Sequence, residues 1–242
     1  MNLIVDVGNT LIKLAVFENG QLVEKRICAK ANFFEDVESL MKAFPRLSHG
    51  IISSVGSFNK ENYERLRTLL PMVELSHECY LPFINAYKSP ATLGVDRIAL
   101  VSAAAIQFPD ENVLIIDAGS CITYDVLNNE NVYEGGAISP GMRLRYKAMN
   151  DHTDKLPLLV ARGPKNIVGN TTEESMHIGV IEGITREIDG FIDAYIEKYD
   201  TLTIIFTGGD AEMLRDRLKN DTFANSNFLL EGLQNILELN KD

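Results

Sequence analysis

Two aspartates stand at matching points of the chain. Asp6 opens Asp6-Val7-Gly8-Asn9-Thr10, and Asp117 opens Asp117-Ala118-Gly119-Ser120. Each follows an apolar, β-branched run and leads into alternating residues and a turn rich in Asn with Gly or Glu. A carboxylate at the end of a buried strand is costly unless it is paired or bound to a cation. The glycine two residues on permits a tight turn and lets a phosphoryl group approach the backbone. The amides of Gly8, Asn9 and Thr10 could point at such a group, and Asp6 could hold a metal–water cluster. Lys13, farther along the second strand, could meet a transferred phosphate as a point charge. Taken alone, Asp6 to Thr10 reads as a simple Asp-Gly turn. Its recurrence at Asp117 favours a polyphosphate clamp, with one loop from each half. A third stretch, Phe206-Thr207-Gly208-Gly209-Asp210-Ala211, is a buried strand, a glycine pair and a helix start. It would admit a ring or ribose at a helix N-terminus. It is equally a tight turn whose Asp210 complements the helix dipole.

The elements that must position these residues follow from periodicity. After the first strand, residues 10–27 form two alternating runs around Glu18-Asn19-Gly20, a hairpin signature. Helical spacing over 32–44 ends at Pro45, a short strand follows at 50–55, and a helix over 59–70 stops at Pro71. Residues 80–94 read as loop, and 95–108 as an Ala-rich helix stopped by Pro109. The second half repeats the order. It has a strand at 112–119, two strands within 120–139, helices at 141–150 and 171–199, a strand–glycine–helix unit at 202–218, and a closing segment at 227–239. An internal repeat of this size predicts two copies of one α/β domain, spanning 1–110 and 111–242, with the helix from Asp96 to Phe108 as connector.

Composition narrows the function. Of 242 residues, 45% are hydrophobic and 24% charged, as in ordinary soluble proteins, and no apolar run approaches ~18–20 residues, so no membrane partner is expected. The net charge of −11, without a basic face, argues against nucleic acid as a partner. That field also opposes an anionic ligand, so attraction must come from backbone amides, a cation or a few basic side chains. Cys28, Cys79 and Cys121 form no C-x-x-C pair, and the N-terminus reads as a first strand rather than a secretory leader. Both point to a reducing cytoplasm without structural zinc. His49, His77, His152 and His177 show no metal-ligand spacing, and His152 and His177 read as solvated.

DVGNT, DAGSCITYD and TGGDA together resemble the two phosphate motifs and the adenosine motif of the acetate and sugar kinase, Hsp70 and actin superfamily. More narrowly, YKSPATLGVDR and GGAISPG resemble type III pantothenate kinases, the bacterial enzymes that begin coenzyme A synthesis. The resemblance runs from Asp6 to Asp210. It implies an actin-like ATPase fold: two ribonuclease H-like domains, each a mixed sheet with flanking helices, around a central cleft. It implies ATP with Mg²⁺ and pantothenate as substrates, a homodimer, and a monovalent cation, K⁺ or NH₄⁺. By the same resemblance, Asp6, Val7, Gly8, Asn9, Thr10, Leu11, Ile12 and Lys13 bind ATP phosphates, and Ser120 contacts ATP. Asp96 is the general base, and Asp117 holds the cation. Tyr87, Gly94, Val95, Asp96 and Arg97 line the pantothenate site, and Thr172 reaches it across the dimer, in a register that Thr171 makes ambiguous. Arg97 either keeps Asp96 ionised or grips a substrate carboxylate. The chain departs from the family pattern at Ser120-Cys121, where Thr-Ala is usual; the hydroxyl is kept, and the Cys121 thiol has no catalytic role in this reading. The competing readings are another small-molecule kinase of the superfamily, a non-catalytic regulatory relative, and a chaperone nucleotide domain, for which the chain is short.

Overall fold

The computed structural model describes residues 1–54 and 58–241. The chain forms β1 (Asn2–Val7), β2 (Leu11–Glu18), β3 (Gln21–Ala29), α1 (Phe33–Ala43), β4 (His49–Ser54), α2 (Lys60–Leu69), β5 (Met72–Glu74), β6 (Ile84–Asn85) and α3 (Val95–Gln107). It continues with β7 (Val113–Ala118), β8 (Cys121–Leu127), β9 (Val132–Pro140), α4 (Met142–Asp151), α5 (Thr172–Lys198), β10 (Thr203–Thr207), α6 (Ala211–Arg215), β11 (Phe223–Ala224) and α7 (Phe228–Asn240). The strand expected over 50–55 is β4, and its residue 55 lies outside the described residues.

The chain divides into two units, Met1–Pro109 with Asn227–Asp242, and Asp110–Ser226. In the first, the sheet order is β3-β2-β1-β4-β5. β1 pairs antiparallel with β2, and β2 with β3, whereas β4 and β5 run parallel to β1. In the second, five strands of a six-stranded sheet, in the order β9-β8-β7-β10-β11, repeat that pattern, with two antiparallel strands on one side of β7 and two parallel strands on the other. The repeat expected from Asp6 and Asp117 is therefore a repeat of a five-strand pattern.

Alternation explains how each sheet is clothed. In the first unit, Leu3, Val5, Val7, Ile12, Leu14 and Val16 share one core with Phe33, Val37 and Leu40 of α1 and Leu66 of α2. In the second, Leu114, Ile116, Ile122, Tyr124 and Phe206 pack with Met142 and Tyr146 of α4 and the Ile181, Ile184, Ile188 and Ile192 stripe of α5. That stripe has the i, i+3, i+4 spacing of an amphipathic helix.

The C-terminal segment departs from the expected 111–242 division, because α7 joins the first unit. The reason is packing. Arg97 to Ala105 of α3 are buried, so this helix has almost no solvent face and needs a partner. Gly232 of α7 lies against the Ala99 backbone so closely that a Cβ there would sit 1.8 Å from the Ala99 carbonyl. Asn2 of β1 then donates hydrogen bonds to Gln234 and Glu238, at 3.0 and 2.7 Å. No helix among the described residues is long and apolar enough to cross a membrane.

Candidate active site

In the first unit, the β1–β2 hairpin brings Asp6 opposite Lys13. Directly paired residues of an antiparallel ladder project from the same face, and the Lys13 Nζ lies 3.5 Å from Asp6 Oδ2. The turn between them closes with the Gly8 amide donating to the Leu11 carbonyl at 3.1 Å. Asn9, Thr10 and Leu11 are exposed, while Val7 and Ile12 are wholly buried, so those two can offer a ligand only backbone. Asp6 is 5% exposed. Burial pushes its carboxyl above the usual range, Lys13 pulls it back, and the Asp96 charge pushes it up again. Asp96 is thus electrostatically coupled to the phosphate-loop candidate, across most of the first unit's sequence.

Asp96 stands in the first turn of α3, whose N-cap is Gly94. Its Oδ1 accepts a hydrogen bond from the Arg97 amide at 2.8 Å. The helix dipole favours a carboxylate there. Gly94 is small for a reason of space: a Cβ would lie 2.4 Å from that same Oδ1. Arg97 is 4% exposed, and its guanidinium sits 5.7 Å from the centre of the half-buried Tyr87 ring, within cation–π range. Val95 is the first residue of α3 and is half-buried. The structure therefore brings Asp6, Lys13, Tyr87, Gly94, Val95, Asp96 and Arg97 into one unit.

In the second unit, the half-buried Asp117 is the penultimate residue of β7. Its register neighbours are Thr123 on β8 and Thr207 on β10. Here the Gly119 amide donates to the Cys121 carbonyl at 3.0 Å, one residue sooner than in the first hairpin. Three glycines allow the backbone to converge. Gly208, at φ +103°, would place a Cβ 2.4 Å from Asp117 Oδ1, and Gly141 would place one 2.3 Å from the Gly119 carbonyl. The Gly141 amide donates to the Ser120 carbonyl at 3.1 Å, and the Asp210 amide to the Ala118 carbonyl at 2.9 Å. Ser120 and Cys121 are exposed. Burial pushes the Asp210 carboxyl up.

At the start of α5 the two threonines separate. Thr171 is the N-cap, with its hydroxyl accepting from the Glu174 amide at 3.2 Å, and Thr172 is the exposed first helical residue. His152 is exposed as expected, but His177 is not solvated. It is 5% exposed, and its Nδ1 lies 2.7 Å from the Tyr146 hydroxyl, because it falls on the core-facing stripe of α5.

Several side chains escaped the sequence reading. Ser53 lies in register with Asp6, and Thr123 with Asp117; both hydroxyls are buried without a hydrogen-bond partner among the described residues. Lys25 projects from the same face as Lys13, and burial and the Lys13 charge lower its pKa. Only strand register, which the sequence does not print, reveals these neighbours.

The sequence profile described as type III pantothenate kinase matches residues 2–194. A type III pantothenate kinase of Christiangramia forsetii is 50% identical over 241 residues, covering 100% of this chain and 99% of that protein. One from Flavobacterium psychrophilum is 46% identical over 241 residues, covering all of both. Among solved structures, a Baf family protein from Campylobacter jejuni superposes with a TM-score of 0.63 at 22% identity, over 98% of this chain and 97% of that one. At that identity it supports the fold alone, a pair of ribonuclease H-like sheets of the actin-like ATPase type. The family profile and these full-length relatives at 46–50% identity agree: this chain belongs to the type III pantothenate kinase family, enzymes that phosphorylate an alcohol.

Proposed function

We propose that the protein transfers the γ-phosphoryl group of ATP to the primary alcohol of pantothenate, giving ADP and 4′-phosphopantothenate, the first step of coenzyme A synthesis, in the cytoplasm. The observation that carries this reading is membership of the type III pantothenate kinase family, with Asp96 and the Asp6–Lys13 hairpin in one unit. A base and a phosphate loop must be neighbours if one is to act on what the other holds.

Phosphoryl transfer is chiefly positioning and charge stabilisation. The alcohol oxygen attacks the γ-phosphorus, the bond to the β,γ-bridging oxygen breaks, and the alcohol proton passes to Asp96. Because the transition state is loose, a carboxylate need take that proton only late. The Arg97 amide holds the Asp96 carboxylate in place. Arg97 itself is packed against Tyr87, and we assign its buried guanidinium, with Tyr87, Gly94 and Val95, to pantothenate. Lys13 and the backbone of residues 6–13 bind the phosphates of Mg²⁺-bound ATP, together with Ser120. Thr172, whose hydroxyl is not used as the helix cap, reaches pantothenate in the partner subunit of a homodimer.

Asp117 would hold the monovalent cation, K⁺ or NH₄⁺. The residues present suit such an ion, since the carboxylate, the adjacent Thr123 hydroxyl, which has no hydrogen-bond partner among the described residues, and the backbone carbonyls are all oxygen donors. When bound, it supplies positive charge beside the phosphates. The decisive assay couples ADP release to a spectroscopic readout, with and without pantothenate, in potassium and then sodium buffer. Turnover that requires both pantothenate and potassium supports the proposal. ADP release that ignores pantothenate, or that follows another alcohol, reassigns the protein to a different small-molecule kinase.

A further inference from the structure

Behind the Ser120 turn lies a cluster that the proposed mechanism does not use. Glu187 of α5 accepts a 2.5 Å hydrogen bond from the Ser139 hydroxyl and a 3.2 Å bond from the Tyr124 hydroxyl on one oxygen. On the other it accepts a 2.6 Å bond from Arg145, an ion pair about three-quarters buried on both sides. Arg145 also donates through Nε to the Pro140 carbonyl at 2.9 Å. One carboxylate therefore ties β8, the end of β9, α4 and α5 together. Burial alone would raise the Glu187 pKa, but the Ser139 and Arg145 hydrogen bonds and the Arg145 charge hold it below the usual value. Burial, and then Glu187, push the Tyr124 hydroxyl pKa well up. The carboxylate is thus ionised and the phenol protonated at neutral pH, which is the pairing the hydrogen bonds require.

The residues so held, Ser139 and Pro140, lead directly to Gly141. Its amide donates to the Ser120 carbonyl, and its Cα lies against the Gly119 carbonyl too closely for any side chain. The register sets Pro140 opposite Cys121 and Ser139 opposite Ile122. The seat of the 119–121 turn is therefore the 139–141 segment, which the β8–β9 ladder holds on one side and Glu187, with Arg145, on the other. Charge-assisted bonds of this kind are short and directional, and a site a fraction of an ångström out of place loses much of its effect.

We infer that Glu187 is a positioning residue for nucleotide binding: acting through Ser139, Arg145 and Gly141, it sets the Ser120 turn at the height needed to meet the ATP phosphates. This rests on the assignment of Ser120 to ATP, and the controls keep the two claims apart. Steady-state kinetics and thermal melts are compared for wild type, S120A, E187A, E187Q and S139A/E187A. E187A raises the KM for ATP by about three- to tenfold, while kcat and the KM for pantothenate stay within about twofold. E187Q, which keeps an acceptor for Ser139, recovers part of the loss. Adding S139A to E187A costs little more, because both act on one link. If S120A leaves the KM for ATP unchanged, the assignment of Ser120 fails, and this inference with it. If S120A raises it but folded E187A and E187Q do not, Glu187 has no positioning role. If every kinetic constant and the melting temperature fall together in E187Q as well as E187A, the cluster is merely structural and the inference is overturned.

Discussion

The β1–β2 and β7–β8 hairpins share a backbone device and differ in what faces the aspartate. Opposite Asp6 stands Lys13, 3.5 Å away. Opposite Asp117 stands Thr123, a hydroxyl. The first hairpin carries its own cation; the second offers oxygen donors. Their turns differ as well, closing from Gly8 to Leu11 in one and from Gly119 to Cys121 in the other. A duplicated scaffold thus presents an aspartate faced by a lysine in one copy and by a hydroxyl in the other. The lesson is that repetition supplies the geometry, and a few unrepeated side chains divide the chemistry between the copies.

That division can be broken in order of expected effect. Asp96→Asn removes the carboxylate in the first turn of α3, and kcat should fall by roughly two to four orders of magnitude, with the KM for ATP little changed. Wild-type turnover in that variant would end the assignment of Asp96 as base. Asp117→Ala tests the oxygen-donor hairpin: potassium should cease to activate, with the KM for ATP raised by about tenfold. A potassium titration indistinguishable from wild type would show that the second aspartate does not serve a cation.

The contact between the paired helices is probed by Gly232→Ala. The added methyl has no room against the Ala99 carbonyl, and overpacking of this kind costs about 1–3 kcal/mol. For a chain of this size, a calorimetric melting temperature lower by about 3–10 °C is expected. An unchanged melt would mean that α7 can slide off α3 at no cost. The smallest effect concerns Asp6 itself. Its folded pKa is raised by burial, so the folded state binds a proton more readily than the unfolded one. The associated stability is present below the unfolded pKa and lost as pH rises through the folded value. At pH 7 the ionised carboxylate therefore costs stability. Asp6→Asn should melt about 2–4 °C higher at pH 7, and the gap should close as pH falls toward the carboxylate range. A gap that widens on acidification would mean that Lys13 more than offsets the burial of Asp6.

Much of this was legible in the order of residues. Period-two alternation marks β1, β2, β7 and β8, prolines at 45, 71 and 109 stop the preceding helices, and the Asp-x-Gly pair announces the repeat. Other features were hidden. The edge strands β5 and β11 have three and two residues, too few for a period to show. The expected solvation of His177 failed because one polar residue on an apolar stripe carries no mark of its direction. The expected 111–242 division misses that α7 belongs with the first unit, because its apolar positions show that it is buried, but not against what.

Sequence by itself determined the local elements, the twin aspartate turns and the helix that opens with Asp96, since these depend on backbone propensity and spacing within a few residues. Only the tertiary structure decided that Lys13 meets Asp6, that Asp96 shares a unit with them, that Glu187 bonds Ser139 and Arg145, and that α7 returns to α3. Apart from the Asp6–Lys13 pair, which one hairpin joins, those relations link residues far apart in the chain. They are set by strand register and by the space a glycine leaves, neither of which is written in any single stretch.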